Sequence, residues 1–199
     1  MKKLNNSFDK KEKIISEYNK TSHFYDYRYG EIQREKYELI LPYFDLHNNI
    51  ILDAGCGTGL IVEYFMELLR MKDNINYNYV GVDISWNMLK IFQLKLKTMN
   101  LRKNYNLILS DIENLPFRKD IFDLIFSYTS LQNLPNIENG IKCLCNVGKN
   151  YAKISLSILR KTIEIDNILK LLKQWIKITK KIDEEKVEDI IISGEIFKN

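Results

Sequence analysis

Several residue types that define a scaffold or a metal centre are scarce in this 199-residue chain. It has three cysteines, Cys56, Cys143 and Cys145, and two histidines. Three cysteines cannot build a disulfide framework, and no Cys/His set completes a zinc site. They read as reduced thiols, and no metal is expected. No apolar run approaches the roughly 20 residues of a membrane-spanning helix, and Met1 to Leu4 opens no secretory apolar region. The expected place is therefore the cytoplasm, without membrane insertion. Internal repeats and low-complexity tracts are absent. The net charge of +4 is too mild to demand a polyanionic partner, although a weakly basic surface is compatible with RNA.

What is present is organised around Ile51-Leu52-Asp53-Ala54-Gly55-Cys56-Gly57-Thr58-Gly59-Leu60. An apolar run enters an aspartate, three alternating glycines follow, and a new apolar segment begins. That order reads as a buried strand, a tight turn and a helix start. Glycine at every second position leaves the backbone open to a flat ligand, and the helix start favours an anionic group.

The rest repeats the rhythm. A polar, lysine-rich stretch over 1–22 leads through the aromatic segment from His23 to Gly30. A predicted helix runs from Glu31 to about Phe44. Further helices are expected at Leu60 to Arg70, around Leu89, Phe92, Leu96 and Met99, at Ile137 to Val147, and along Ile165, Ile168, Leu169, Leu172, Trp175 and Ile176. Between them lie apolar strands at Tyr79 to Asp83, Asn106 to Ser110, Ile121 to Ser127 and Ala152 to Leu159, with Met71 to Asn78 as a polar connection. Lys177 to Ile182 and Asp189 to Phe197 close the chain as an antiparallel hairpin. The expected class is α/β, a mostly parallel sheet with helices on both faces. A helical N-terminal cap (1–47) and a core (48–199) then form one domain.

Three successive strands finish on Asp53, Asp83 and Asp111. In an open parallel sheet such ends share one edge, beyond which ligands bind. Any one aspartate there also serves as a cap or turn former; three beside a glycine turn favour a ligand. The turn is G-x-G-x-G rather than the dinucleotide G-x-G-x-x-G, and Asp83 lies farther along than that motif's acid. Leu60 and Ile61 stand where a phosphate-gripping Lys-Ser/Thr would be. Nicotinamide-dependent oxidoreductases and P-loop enzymes therefore fit poorly.

Ile51 to Leu60, Val80-Gly81-Val82-Asp83-Ile84-Ser85, Ser110-Asp111-Ile112-Glu113-Asn114-Leu115-Pro116-Phe117 and Phe122-Asp123-Leu124-Ile125-Phe126-Ser127 resemble, in order, four motifs of the class I S-adenosylmethionine-dependent methyltransferases. The Asp-x-x-x-Leu-Pro-Phe wording resembles the branch that includes the ubiquinone/menaquinone-biosynthesis enzymes. The resemblance is close from Ile50 to about Phe126. It implies a Rossmann-like core, S-adenosyl-L-methionine as cofactor and methyl transfer as the activity. By position it implies that Gly55, Cys56, Gly57 and Gly59 pass under the methionine part while Asp53 orients its amino group. Asp83 would accept the ribose hydroxyls, Asp111 and Ile112 frame the adenine, and Ile84 and Met88 pack on the ring, Met88 being equally suited to the core. Ser127 and Tyr128 would border the methyl group.

A sulfonium carries its own leaving group, so positioning can supply most of the catalysis, and a base is needed only when the acceptor must lose a proton. Candidates are His23, Tyr25, Asp26, Tyr128 and Gln132, with Tyr25 and Tyr128 favoured as pocket walls and His23 as a surface residue. A small-molecule acceptor is placed first. No Asn-Pro-Pro-Tyr follows the fourth strand, Cys143 and Cys145 lack a Pro-Cys context, and no RNA-binding module is appended. RNA or protein acceptors, and a non-catalytic cofactor-binding subunit, are the alternatives.

Overall fold

The computed structural model describes residues 2–69, 76–101, 103–161 and 164–198. A seven-stranded sheet runs in the order β3-β2-β1-β4-β5-β7-β6. Its members are β1 (Ile50–Ala54), β2 (Asn78–Asp83), β3 (Tyr105–Leu109), β4 (Phe122–Tyr128), β5 (Gly148–Leu159), β6 (Ile176–Ile182) and β7 (Asp189–Ile196). The first five are parallel, and β7 pairs antiparallel with both β5 and β6. The α/β class and the closing hairpin expected from the sequence are both present. Residues 70–75, which include the end of the predicted second helix and most of the Met71 to Asn78 connection, lie outside the described residues.

Among the described residues five helices cover the sheet: α1 (Lys2–Ile40), α2 (Leu60–Leu69), α3 (Trp86–Thr98), α4 (Ile137–Val147) and α5 (Ile165–Leu172). Burial is divided between the two faces. Ile40, Ile61, Phe65, Leu89 and Phe92 from the first three helices pack on Ile51, Tyr79 and Phe126. Ile141, Leu144, Ile168 and Leu172 from the last two pack on Leu52, Ile125, Ile154 and Ile192. The central strands thus send alternate side chains into two apolar layers, as a sheet buried on both faces requires.

The structure departs from expectation at two helices. α1 is one helix of 39 residues, not a polar lead followed by a helix from Glu31. Ile14, Tyr18, Ser22, Tyr25, Tyr29, Gln33, Lys36, Tyr37 and Ile40 recur at steps of three or four and turn inward, with Ser22 and Lys36 only 2% and 1% exposed. It is an amphipathic stripe in which tyrosine, serine, glutamine and lysine take places that an aliphatic pattern would mark. α1 stops at Ile40 because Pro42 follows, and Leu41–Tyr43 form a single 3₁₀ turn with the proline near its start. α5 ends at Leu172, so Trp175 lies beyond it and Ile176 opens β6, buried in the sheet. A helical spacing ran across a turn there.

Candidate functional site

β1 delivers the chain into a turn that places Gly55, Gly57 and Gly59 at φ of +84°, +53° and +84°, a region costly for residues with a Cβ. The N–H groups of Gly55 and Cys56 donate to Val82 O at 2.7 and 3.0 Å, fastening the turn to β2. The three glycines do different work. A Cβ on Gly55 would lie 2.0 Å from Ser130 Oγ, and one on Gly59 would lie 2.2 Å from the Phe92 ring. Nothing lies within 4 Å of a Cβ on Gly57, so this backbone faces open space.

That space is a cleft of about 690 Å³, partly open to solvent, bounded by Gly55, Gly57, Asp83, Ile84, Met88, Asp111, Ile112 and the Tyr128–Pro135 segment. A smaller cleft adjoins it; Tyr25, Gly55, Gly57 and Tyr128 line both. Asp83 faces the turn. Its Oδ2 accepts the Gly57 N–H at 2.9 Å and its Oδ1 the Ser85 N–H at 2.8 Å. Burial raises its pKa against the pull of those bonds. Asp53, 3% exposed, lines the smaller cleft and accepts the Tyr79 hydroxyl at 2.6 Å. Burial pushes it up to about 7, with the Tyr79 bond opposing and Asp83 adding to the rise. Such a carboxyl is poised to ionise beside a cation.

The opposite wall is α1. Lys11 Nζ reaches Asp111 Oδ2 and lies 2.7 Å from Glu113 Oε2. Asn19 Oδ1 accepts from the Ser85 hydroxyl at 2.7 Å, and the Asn87 side chain donates to Asn19 O at 3.0 Å. The Tyr18 hydroxyl accepts from Asn133 at 2.8 Å. Asp26 accepts the Thr58 hydroxyl and pairs with Lys95 at 2.6 Å. Deeper in, Lys36 meets Asp189 at 3.0 Å and donates to Thr129 Oγ1 at 2.7 Å.

Asp53, Gly55, Cys56, Gly57, Asp83, Ile84, Met88, Asp111, Ile112, Tyr25 and Tyr128 all line one or both clefts. Five expected residues do not. Gly59 serves the packing of α3, because its missing side chain makes room for Phe92. Ser127 is fully buried and donates to Ala54 O at 2.8 Å, joining β4 to β1. Gln132 donates to Thr129 O at 2.8 Å within its own turn. His23 is exposed on the outer face of α1. Asp26 ties α1 to the glycine turn. Burial raises the Cys143 thiol and pushes Cys145 up to about 12, as inert structural thiols should behave.

Sequence reasoning missed Lys11, Ile14, Tyr18, Gln33, Lys36, Thr129 and Asn133. The helical recurrence of polar and aromatic residues along 11–40 was the available signal for those on α1. Thr129, a β-branched residue at φ +54°, gave none.

Residues 51–150 match the family described as a methyltransferase domain. A malonyl-[acyl-carrier protein] O-methyltransferase of Hamiltonella defensa is 29% identical over 176 residues, 88% of this chain and 60% of that protein. A demethylmenaquinone methyltransferase of Porphyromonas gingivalis is 25% identical over 151 residues, 75% of this chain and 59% of that one. The chain thus spans about three fifths of the length of these relatives. Among solved structures, the magnesium protoporphyrin IX methyltransferase of Synechocystis PCC 6803 with bound S-adenosylmethionine superposes at a TM-score of 0.74 with 18% identity. That match covers 95% of this chain and 97% of the other.

Proposed function

The chain belongs to the class I S-adenosylmethionine-dependent methyltransferase family, and from that premise we propose that it transfers a methyl group from S-adenosyl-L-methionine to a small-molecule acceptor. One observation carries this reading: Asp83 stands against Gly57, whose backbone has no side chain or neighbour over it.

The residues present fit the cofactor. Asp83 accepts the Gly57 and Ser85 N–H groups, one on each carboxylate oxygen, and a carboxylate offers about four acceptor positions, so capacity remains for a ribose hydroxyl. Ile84, Met88 and Ile112 offer an apolar slot for the adenine, with Asp111 at its rim. Asp53, up to about 7 when alone, suits an ammonium group. The cofactor when bound supplies a methyl group on a sulfonium, already provided with its leaving group.

What the protein adds is alignment and exclusion of water. Gly57, with nothing over its backbone, would leave room for the methionine part, and α1 would roof it. Tyr25 and Tyr128 wall the point where the two clefts meet. Burial raises both phenols, so they stay protonated and act as walls or donors rather than bases. In this reading residues 1–47 cap a core of residues 48–199 within one domain, and the protein acts in the cytoplasm. No helix among the described residues is long and apolar enough to cross a membrane. The relatives' names, a malonyl group on an acyl carrier protein and a demethylmenaquinone, support an acceptor that is a small organic group rather than RNA.

Incubation with methyl-labelled cofactor and size-fractionated cell extract tests the proposal. Label should enter small molecules; label in RNA or in protein itself would overturn the acceptor assignment. In calorimetry Asp83→Ala should weaken cofactor binding at least about tenfold, and unchanged binding would remove Asp83 from the site.

A further inference from the structure

The carbonyl oxygen of Gln33 is a buried acceptor with nothing to accept. Gln33 is 5% exposed, and its Oε1 has no hydrogen-bond partner among the described residues. Burying such a group unpaired is costly, so the site is incomplete without a donor.

The neighbours decide which way the amide points. Thr129 Oγ1 has a single proton, which it donates to Asp189 Oδ2 at 2.8 Å, and it accepts from Lys36 Nζ at 2.7 Å. Asp189 is fully buried and also accepts the Ser157 hydroxyl at 2.6 Å. An oxygen whose proton is committed to a carboxylate offers Gln33 only a lone pair. The amide must therefore turn its NH₂ group to Thr129, at 3.3 Å. Oε1 is left without a donor, on a side chain that lines the smaller cleft together with Asp53, Gly55 and Gly57.

We infer that Gln33 Oε1 accepts a hydrogen bond from the ammonium group of the cofactor's methionine end, beside Asp53, so that α1 reads the amino-acid portion of the ligand. This rests on the cofactor reading above. Two acceptors in one small cleft repel a carboxylate and suit a cation with three N–H donors. Lys36 and Asp189 are positioning residues here: they touch no ligand and act by fixing the hydroxyl that orients the amide. The buried ion pair thereby has a use beyond stability, to which such pairs contribute little on their own.

The test is calorimetry with three probes: S-adenosylmethionine, S-adenosylhomocysteine and 5′-methylthioadenosine, the last lacking the amino-acid end. Gln33→Leu should weaken the first two by about tenfold, the loss of one charge-assisted bond, and leave the third unchanged. An equal loss for all three probes would mean that Gln33 only docks α1. A loss confined to S-adenosylmethionine would mean contact with the sulfonium. Either result overturns the inference, as does unchanged binding in Gln33→Leu. A wild-type protein that binds none of the three refutes the cofactor reading itself, before any variant is made.

Discussion

The two walls of the cleft are built on opposite plans. The sheet wall is contiguous chain: the glycine turn, Asp83 with Ile84, and Asp111 with Ile112 each leave a strand end, and much of the shaping is done by backbone. The α1 wall gathers Lys11, Tyr18, Tyr25, Gln33 and Lys36 over seven turns of helix and is attached by side-chain contacts to four separate loops. A backbone-built wall tolerates no change of turn geometry. A wall of side chains can be altered one contact at a time. Its contacts also differ along its length: a part-buried ion pair at Lys11, and a fully buried one at Lys36.

Breaking the buried contact should have the largest effect. Lys36→Met leaves the Asp189 carboxylate, 0% exposed, without its cation, and should cost about 3–5 kcal/mol in urea or thermal unfolding. Replacing both partners, Lys36→Met with Asp189→Leu, should restore most of that, because the two buried charges leave together. A double variant no more stable than Lys36→Met alone would show that the pair matters for something other than charge balance.

Within the sheet wall the glycines sharpen the contrast. Gly59→Ala combines a left-handed backbone with a clash against the Phe92 ring and should cost about 3 kcal/mol. Gly57→Ala meets no neighbour and should cost only about 1–2 kcal/mol of backbone strain, while reducing cofactor binding by putting a methyl group into the cleft. Equal destabilisation by the two would erase the distinction between a packing glycine and a ligand-facing one.

The smallest effect is expected at the outer end of α1. Lys11 and Asp111 have side chains 27% and 22% exposed, so Lys11→Met should change global stability by less than about 1 kcal/mol. Hydrogen exchange over residues 8–22 should nonetheless quicken, because the contact pins that half of the helix to the loop after β3. Slow exchange equal to wild type would mean that Asn19 and Tyr18 suffice to hold it.

Much of the sheet wall was legible in the chain. Asp53, Asp83 and Asp111 end apolar runs, and in a parallel sheet that alone brings them to one edge. Gly59 and Ser127 belong to the same motifs yet line neither cleft, and Gln132, in the loop after the fourth strand, bonds its own turn. Motif position sets where a residue's Cα lies, whereas φ, ψ and the nearest neighbour decide what its side chain meets. α1 was harder to read because its inward stripe is made of tyrosine, serine, glutamine and lysine. Such residues are buried only when a partner elsewhere satisfies them, and Thr129, Asp189 and Asn133 lie about 90 to 150 positions away.

The alternation of apolar strands and helices, the glycine turn and the three acids were determined locally, since backbone freedom, hydrophobic period and strand direction are properties of short stretches. The roof over the cleft, the choice of which glycine faces open space and the orientation of the Gln33 amide were decided only in three dimensions. Each depends on contacts between residues far apart in sequence, and a buried polar group takes its direction from the partner it finds.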